Sequence, residues 1–173
     1  PKVRQIIELP APRGIANVLA QEVDEYECRE GVLKQLKERI DEARIANDTA
    51  AYQQAVNSFK QEQQRIVADL SKLRKMVANA KLPFVIEHLR DMILDGQKVV
   101  VFCHHHEIMD QLVEAFKGKC VKFSGKENLQ ARNDAVETFQ NDPNCMVFVG
   151  SITAAGVGIT LTASSRVVFA ELD

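Results

Sequence analysis

The second half of the chain alternates short apolar runs with amphipathic segments. From Lys98 to Cys103 it reads KVVVFC, from Cys120 to Phe123 CVKF, from Met146 to Val149 MVFV, and from Val167 to Leu172 VVFAEL. These runs are rich in Val and Phe and too short for helices, so they predict strands. The last two, without an alternating polar face, read as strands buried on both faces, as in a parallel sheet with helices above and below. Between the runs, Glu107–Phe116 predicts a helix closed by Gly118. Leu129–Gln140 predicts another, with Leu129, Ala135, Val136 and Phe139 partly inward, and Asp142-Pro143-Asn144 predicts a turn. Strands alternating with helices imply crossover connections and a parallel α/β sheet. Upstream, Leu82-Pro83 interrupts the helical pattern and predicts a fresh helix over Phe84–Asp95, ending at Gly96.

The first half carries a different period. Ile15 to about Ala46 predicts a helix, with a possible interruption near Gly31; Leu33, Leu36, Ile40 and Ala43 form a narrow stripe at three-four spacing. Asn47-Asp48-Thr49 predicts a turn with a helix N-cap, because a short side-chain oxygen can accept from the first free amides. A second helix follows from about Thr49 to Ala80. Its stripe is Tyr52, Val56, Phe59, Ile66, Leu70, Leu73 and Val77, with Gln63 filling one position. Two stripes joined by a tight turn predict an antiparallel helical hairpin, whose second arm would be about 45 Å long at ~1.5 Å per residue. The hairpin reads either as a solvated structural arm or as a partner- or DNA-contacting arm. Lys72, Arg74, Lys75 and Lys81 cluster near its base, as solvated helix faces commonly do. Val3, Ile6, Ile7 and Leu9 are compatible with an edge strand or lead-in, ended by Pro10 and Pro12. The expected organisation is residues 1–14 as lead-in, 15–80 as hairpin and 81–173 as the α/β part.

Candidate chemistry concentrates between the third and fourth runs. SITAAGVGITLT offers Ser151, Thr153, Gly156, Gly158, Thr160 and Thr162 with no large polar residue. Glycines and hydroxyls directly after a buried strand let backbone approach a ligand closely. Open α/β sheets bind ligands at the carboxyl ends of their strands. A phosphate or nucleotide contact is the functional reading; a tight crossover whose small residues only permit packing is the plain one. Two sharper motifs fail. A dinucleotide fingerprint needs a third glycine where Leu161 stands, and a Walker A loop around Gly125-Lys126 needs glycine at Cys120 and Ser or Thr at Glu127. The chain therefore carries no phosphate loop of its own.

Composition narrows the classes. The 173 residues are 46% apolar and 27% charged, with a net charge of −2. That profile is globular, and the charge argues against a self-sufficient DNA-binding domain, though not against a local basic strip. No apolar run approaches the roughly 20 residues that cross a bilayer, and no signal-peptide pattern opens the chain. Cys28, Cys103, Cys120 and Cys145 are scattered without a CxxC pair, so reduced thiols in a cytosolic protein are expected. Trp is absent, which disfavours an aromatic base-stacking platform. His104-His105-His106 invites a metal reading. Adjacent strand-end residues point in alternating directions, so three in a row do not readily meet one ion, and no metal site is expected. The first residue is not Met and the last closes an apolar run, from which a longer parent protein is expected.

KVVVFCHHHEIMDQLVEAF, then FSG followed by Arg132 and ETFQND, then SITAAGVGITLTASSRVVFAELD, resembles the second RecA-like lobe of Snf2-type proteins in helicase superfamily 2. The resemblance covers roughly residues 70–173 and is closest to the annealing-helicase-like subgroup. It implies a RecA-like parallel sheet flanked by helices, with the N-terminal hairpin as the lobe's helical protrusion. It also implies a parent that is an ATP-driven translocase on double-stranded or forked DNA. In such a motor a first RecA-like lobe carries the phosphate loop and the magnesium-binding acid. The second lobe supplies arginines to ATP and grips the DNA backbone.

Carried over by residue, the resemblance assigns His104 and His105 to a loop near DNA. Ser124, Gly125 and Lys126 fall in a loop whose amides can meet a phosphate. Ser151, Thr153 and Gly156 take the DNA side of the next motif, and Gly158 and Thr160 the interlobe cleft and the nucleotide. Arg132 reads as structural or DNA-facing rather than catalytic. The chain departs from the pattern at Ser124–Glu127, where many members have Asp-Gly-Ser-Thr, and at Ile152 and Ala155, where many have Thr and Gly. The arginine-bearing motif is expected after Asp173. No catalytic residue, bound ATP, Mg2+ or ATPase activity is therefore expected of this chain itself. The expected location is cytoplasmic, nucleoid-associated in a prokaryote or nuclear in a eukaryote. Two other classes compete: a protein-interaction module of a hairpin on an α/β scaffold, and a Rossmann-type enzyme, which the missing fingerprint disfavours.

Overall fold

The computed structural model describes residues 3–9, 15–156 and 158–171. The chain divides into two compact units, Pro10–Val77 and Ala78–Asp173, the latter with Pro1–Leu9.

The first unit is a two-helix hairpin. Helix α1 spans Ile15–Ile45 and runs through Gly31 without a break; helix α2 spans Thr49–Leu94, its turns from Ala78 onward belonging to the α/β unit. Asn47 at the tip takes φ 53°, a left-handed conformation that asparagine tolerates and that reverses the chain. Asp48 Oδ1 then accepts from the amides of Ala50 and Ala51, both at 3.0 Å, which starts α2 as the turn signal predicts. The arms are antiparallel. Arg29 meets Asp69 at 2.9 Å, and Lys37 lies 5.9 Å from the centre of the Phe59 ring, pairs centred on the same turn. Among the described residues of the unit, the buried apolar side chains are Ile15, Ala43 and Ala55. The predicted stripe is mostly half-buried, and Tyr52 lies on the exposed side.

Two expectations about helices and strands are corrected. Pro83 does not break the chain but sits inside α2. A proline in a helix interior removes one backbone donor, at a cost of about 3 kcal/mol. The buried Leu82 and Leu89 on either side anchor the helix to the sheet and outweigh that cost. Residues 3–9 form no strand, and Val3 and Ile6 are exposed. Pro10, Pro12 and the predicted strand end at Leu172 lie outside the described residues.

The α/β unit continues as β1 Val99–Cys103, α3 His106–Ala115, β2 Cys120–Phe123, α4 Leu129–Asn141, β3 Val147–Ser151, α5 Ile152–Ala155 and β4 Arg166–Phe169. The sheet order is β2-β3-β1-β4 and every pairing is parallel. Successive residues of β1 point to opposite faces and feed two cores. Val99, Val101 and Cys103 pack with Leu89, Ile108, Met109 and Leu112; Val100 packs with Phe139, Phe148 and the crossover residues Ile159 and Leu161. Phe148 is the hub of the second core, 5.4 Å from the Phe139 ring and 5.7 Å from Phe123. β3 is buried along its whole length, as predicted for a strand covered on both sides. β4 is not: Val167 is 52% and Phe169 53% exposed. An apolar composition is shared by central and edge strands, and β4 has a described neighbour on one side only.

Candidate functional site

Because the four strands run the same way, their carboxyl ends gather on one rim. Four segments leave it: His104-His105 after β1, Ser124–Glu127 after β2, Ser151–Gly156 after β3 and Ala170-Glu171 after β4.

After β1 the backbone turns back on a carboxylate. Glu171 Oε2 accepts from the amides of His104 at 2.5 Å and His105 at 2.8 Å, while Oε1 lies 2.8 Å from His105 Nδ1. Glu171 is 9% exposed, so these bonds satisfy a carboxylate withdrawn from water. His105 Nε2 is buried without a partner among the described residues. Of the predicted contact residues, His105 is therefore committed inward. Among the described residues no group of three His, Cys, Asp or Glu side chains has the geometry of a metal site.

After β2 a second carboxylate does similar work. Glu127 Oε2 accepts from the Ser124 amide at 2.6 Å, and the Lys126 amide donates to Ser124 Oγ at 3.2 Å. Burial works against the charged Glu127. The bonds from Ser124, its own amide and nearby Lys122 outweigh burial and hold its carboxyl below the ordinary range. Lys122 bridges Glu127 at 3.6 Å and Asp110 at 2.8 Å. Two of the amides that the sequence offered to a phosphate are thus already occupied. Ser124 is buried, and what the loop presents outward is Gly125 and the Lys126 side chain. Asn128 Oδ1 caps the following helix through the Ala131 amide at 2.8 Å. Arg132 stands over Phe123 at 6.0 Å with its Nε buried and without a partner among the described residues.

After β3 the chain forms α5, a four-residue helix that the sequence did not announce. Ser151 is buried and its hydroxyl lies 2.9 Å from that of Thr153; Thr153 and Gly156 are exposed. Gly156 is required, because a Cβ there would stand 2.5 Å from the Ile152 carbonyl oxygen. The crossover then leaves the rim. Gln140, in the last turn of α4, donates to the Thr160 carbonyl at 3.2 Å and accepts from the Ala163 amide at 2.7 Å. Ser164 Oγ donates to the carbonyl of Lys98, the residue before β1, at 2.6 Å. Those partners lie toward the amino ends of the strands. The structure brings His104, His105, Ser124, Gly125, Lys126, Ser151, Thr153 and Gly156 to one rim. Gly158 is exposed at φ 85° on the way down, and Thr160 is held by Gln140 away from that rim.

The sequence reading missed Glu171, Glu127 and Gln140. Glu171 had a signal: an acid at the end of an otherwise apolar strand must find donors when the strand end is covered.

A parallel sheet with helices on both faces and exposed small-residue loops on its carboxyl rim defines a RecA-like lobe. The chain belongs to the helicase conserved C-terminal domain family, whose pattern matches residues 80–173. Within it the similarity is to Snf2-type proteins. The SWI/SNF-related matrix-associated actin-dependent regulator of chromatin subfamily A-like protein 1 homolog of Caenorhabditis elegans is 38% identical over 120 residues, 68% of this chain and 17% of that protein. The human DNA annealing helicase and endonuclease ZRANB3 is 36% identical over 107 residues, 60% of this chain and 10% of that protein. The chain thus spans 10–17% of the length of these two relatives. Among solved structures, the Sulfolobus solfataricus SWI2/SNF2 ATPase core domain matches with a TM-score of 0.52 at 18% identity, over 88% of this chain and 32% of that one, a likeness of fold.

Proposed function

We propose that this chain is the second motor lobe of an ATP-dependent translocase on duplex or forked DNA, and that its rim grips the phosphate backbone. The supporting observation is the rim itself. Gly125 and Lys126 after β2, and Thr153 and Gly156 after β3, are exposed on loops that leave adjacent strands. Backbone grip without base reading suits a sequence-independent motor.

ATP and Mg2+ are assigned to the parent protein, held mainly by a first lobe that would be this lobe's partner. The residues present do not fit an ATP site of their own. The amides of Ser124 and Lys126 are occupied by Glu127 and Ser124, and Thr160 is drawn off by Gln140. The 173-residue chain is accordingly expected to hydrolyse no ATP, with or without DNA.

The test is fluorescence anisotropy of a labelled duplex oligonucleotide across a salt series. Binding is expected to be weak and to fall with salt, since each phosphate contact releases counterions. Lys126→Ala is expected to weaken it and to reduce the log–log salt slope by about 0.9. Absence of binding at low salt, or binding indifferent to salt, overturns the reading and favours the interaction-module alternative.

A further inference from the structure

We propose that Glu171 is the positioning residue for the loop that follows β1, and that it holds this loop for the rim's contact with DNA. The inference rests on the duplex-gripping reading above. One carboxylate makes three bonds to two consecutive residues: both amides and the His105 ring, at 2.5, 2.8 and 2.8 Å. An ionised carboxylate has lone pairs and no proton to give. With the carboxylate ionised and the ring neutral, the ring proton of His105 stands on Nδ1, and Nε2 is left as a bare, buried acceptor. Such a ring offers a phosphate oxygen nothing. The two amides, which would otherwise form a small anion-binding pair, are filled from inside. The loop's part in gripping DNA is thus one of shape. Glu171 ties the end of β4 to the end of β1 and sets where His104 stands beside the β3 loop.

Two variants separate this role from its rivals. In Glu171→Gln the side-chain oxygen can still accept from the amides, but its NH2 must face Nδ1. His105 is then expected to move its proton to Nε2. In Glu171→Ala the amides are released. If the carboxylate merely blocked a phosphate site or repelled DNA, its removal would tighten duplex binding. A positioning residue predicts the opposite sign, a loss of about three- to tenfold, the size of one ordinary hydrogen bond.

The readouts are nitrogen-15 NMR of the histidine rings at about pH 8, above the ordinary histidine range near 6.5, amide exchange at His104 and His105, and anisotropy with the labelled duplex. Expected are an Nδ1–H ring in the parent chain, an Nε2–H ring in Glu171→Gln, and fast amides with weaker duplex binding in Glu171→Ala. An Nε2–H ring in the parent chain, or tighter duplex binding by Glu171→Ala, overturns the proposal. If Glu171→Ala does not fold, the Glu171→Gln ring alone decides: a proton that stays on Nδ1 overturns it. A parent chain with the Nδ1–H ring and no duplex binding at any salt refutes the DNA reading, while the hold of Glu171 on the loop stands.

Discussion

Gly150→Ala tests how tightly the rim is tied to the core beneath it. A Cβ at Gly150 would stand 3.1 Å from Ala155 Cβ, 3.2 Å from Phe102 Cε1 and 3.2 Å from Phe148 Cε1. Relaxed carbon contacts lie at about 3.5–4.0 Å, so all three neighbours must give by tenths of an ångström. Phe148 has no room to retreat, being fully buried against Phe123 and Phe139. Relief falls on Ala155 and hence on α5. Overpacking of this kind costs about 1–3 kcal/mol. In a domain of about 100 residues each kcal/mol lowers Tm by about 4–8 °C.

The chain has no Trp, and both its tyrosines, Tyr26 and Tyr52, lie in the hairpin, so intrinsic emission does not report on the sheet. Thiols do. Cys103 is buried and its thiol is pushed up to about 12, first by burial and then by the charge of Glu171, so it alkylates only when the sheet opens. Exposed Cys28 in the hairpin reacts from the start and serves as an internal control. Alkylation in a urea series, read by mass spectrometry, is expected to show an earlier Cys103 transition in Gly150→Ala and an unchanged Cys28. A Cys103 midpoint shifted by less than about 0.5 kcal/mol equivalent, below the overpacking range, refutes the reasoning.

Pro83→Ala restores a helix-interior amide and is expected to raise the stability of the α/β unit by about 1–3 kcal/mol, measured by the same thiol assay; no gain would mean that α2 is not strained by its proline. Lys98→Met removes an ammonium that donates to the carbonyls of Phe139 at 2.5 Å and Asp142 at 2.8 Å, where α4 ends. A loss of about 1–3 kcal/mol is expected, and an unchanged Cys145 midpoint would contradict it. Glu127 has a depressed folded pKa, so its contribution is fully present above the ordinary glutamate range and is lost as pH falls through the folded value. The protection of the Ser124 amide, the factor by which it exchanges more slowly than an open amide at the same pH, should therefore fall on acidification in the parent chain. In Glu127→Gln it should show no such acid step.

What the sequence made legible was local. The Asp48 cap, the run lengths of β1 to β3 and the hairpin stripes follow from spacing alone, because each depends on neighbours within a few residues. Strand order does not. VVFAEL reads as a central strand because Val and Phe suit either position, and only the pairing with β1 shows that Val167 and Phe169 stand at an edge. Pro83 misled for the same reason: the buried contacts of Leu82 and Leu89 that override it come from residues distant in the chain. In the site, the loops were legible as small-residue and histidine segments after strands. Their occupancy was not, since Glu171 reaches back across 66 and 67 residues to the histidine amides, and Gln140 reaches 20 ahead to Thr160.

The hairpin leaves its own length unconstrained. Its arms meet through a repeating stripe, and its tip is closed by a turn whose hydrogen bonds lie within Glu42–Tyr52. Inserting seven residues into each arm beside that tip adds two turns, with a drift of about 20° per block, and leaves every pairing farther from the tip in register. Homologous chains are expected to differ in size at this point by matched multiples of a heptad. Lone insertions, which would misalign one stripe against the other, should be rare there.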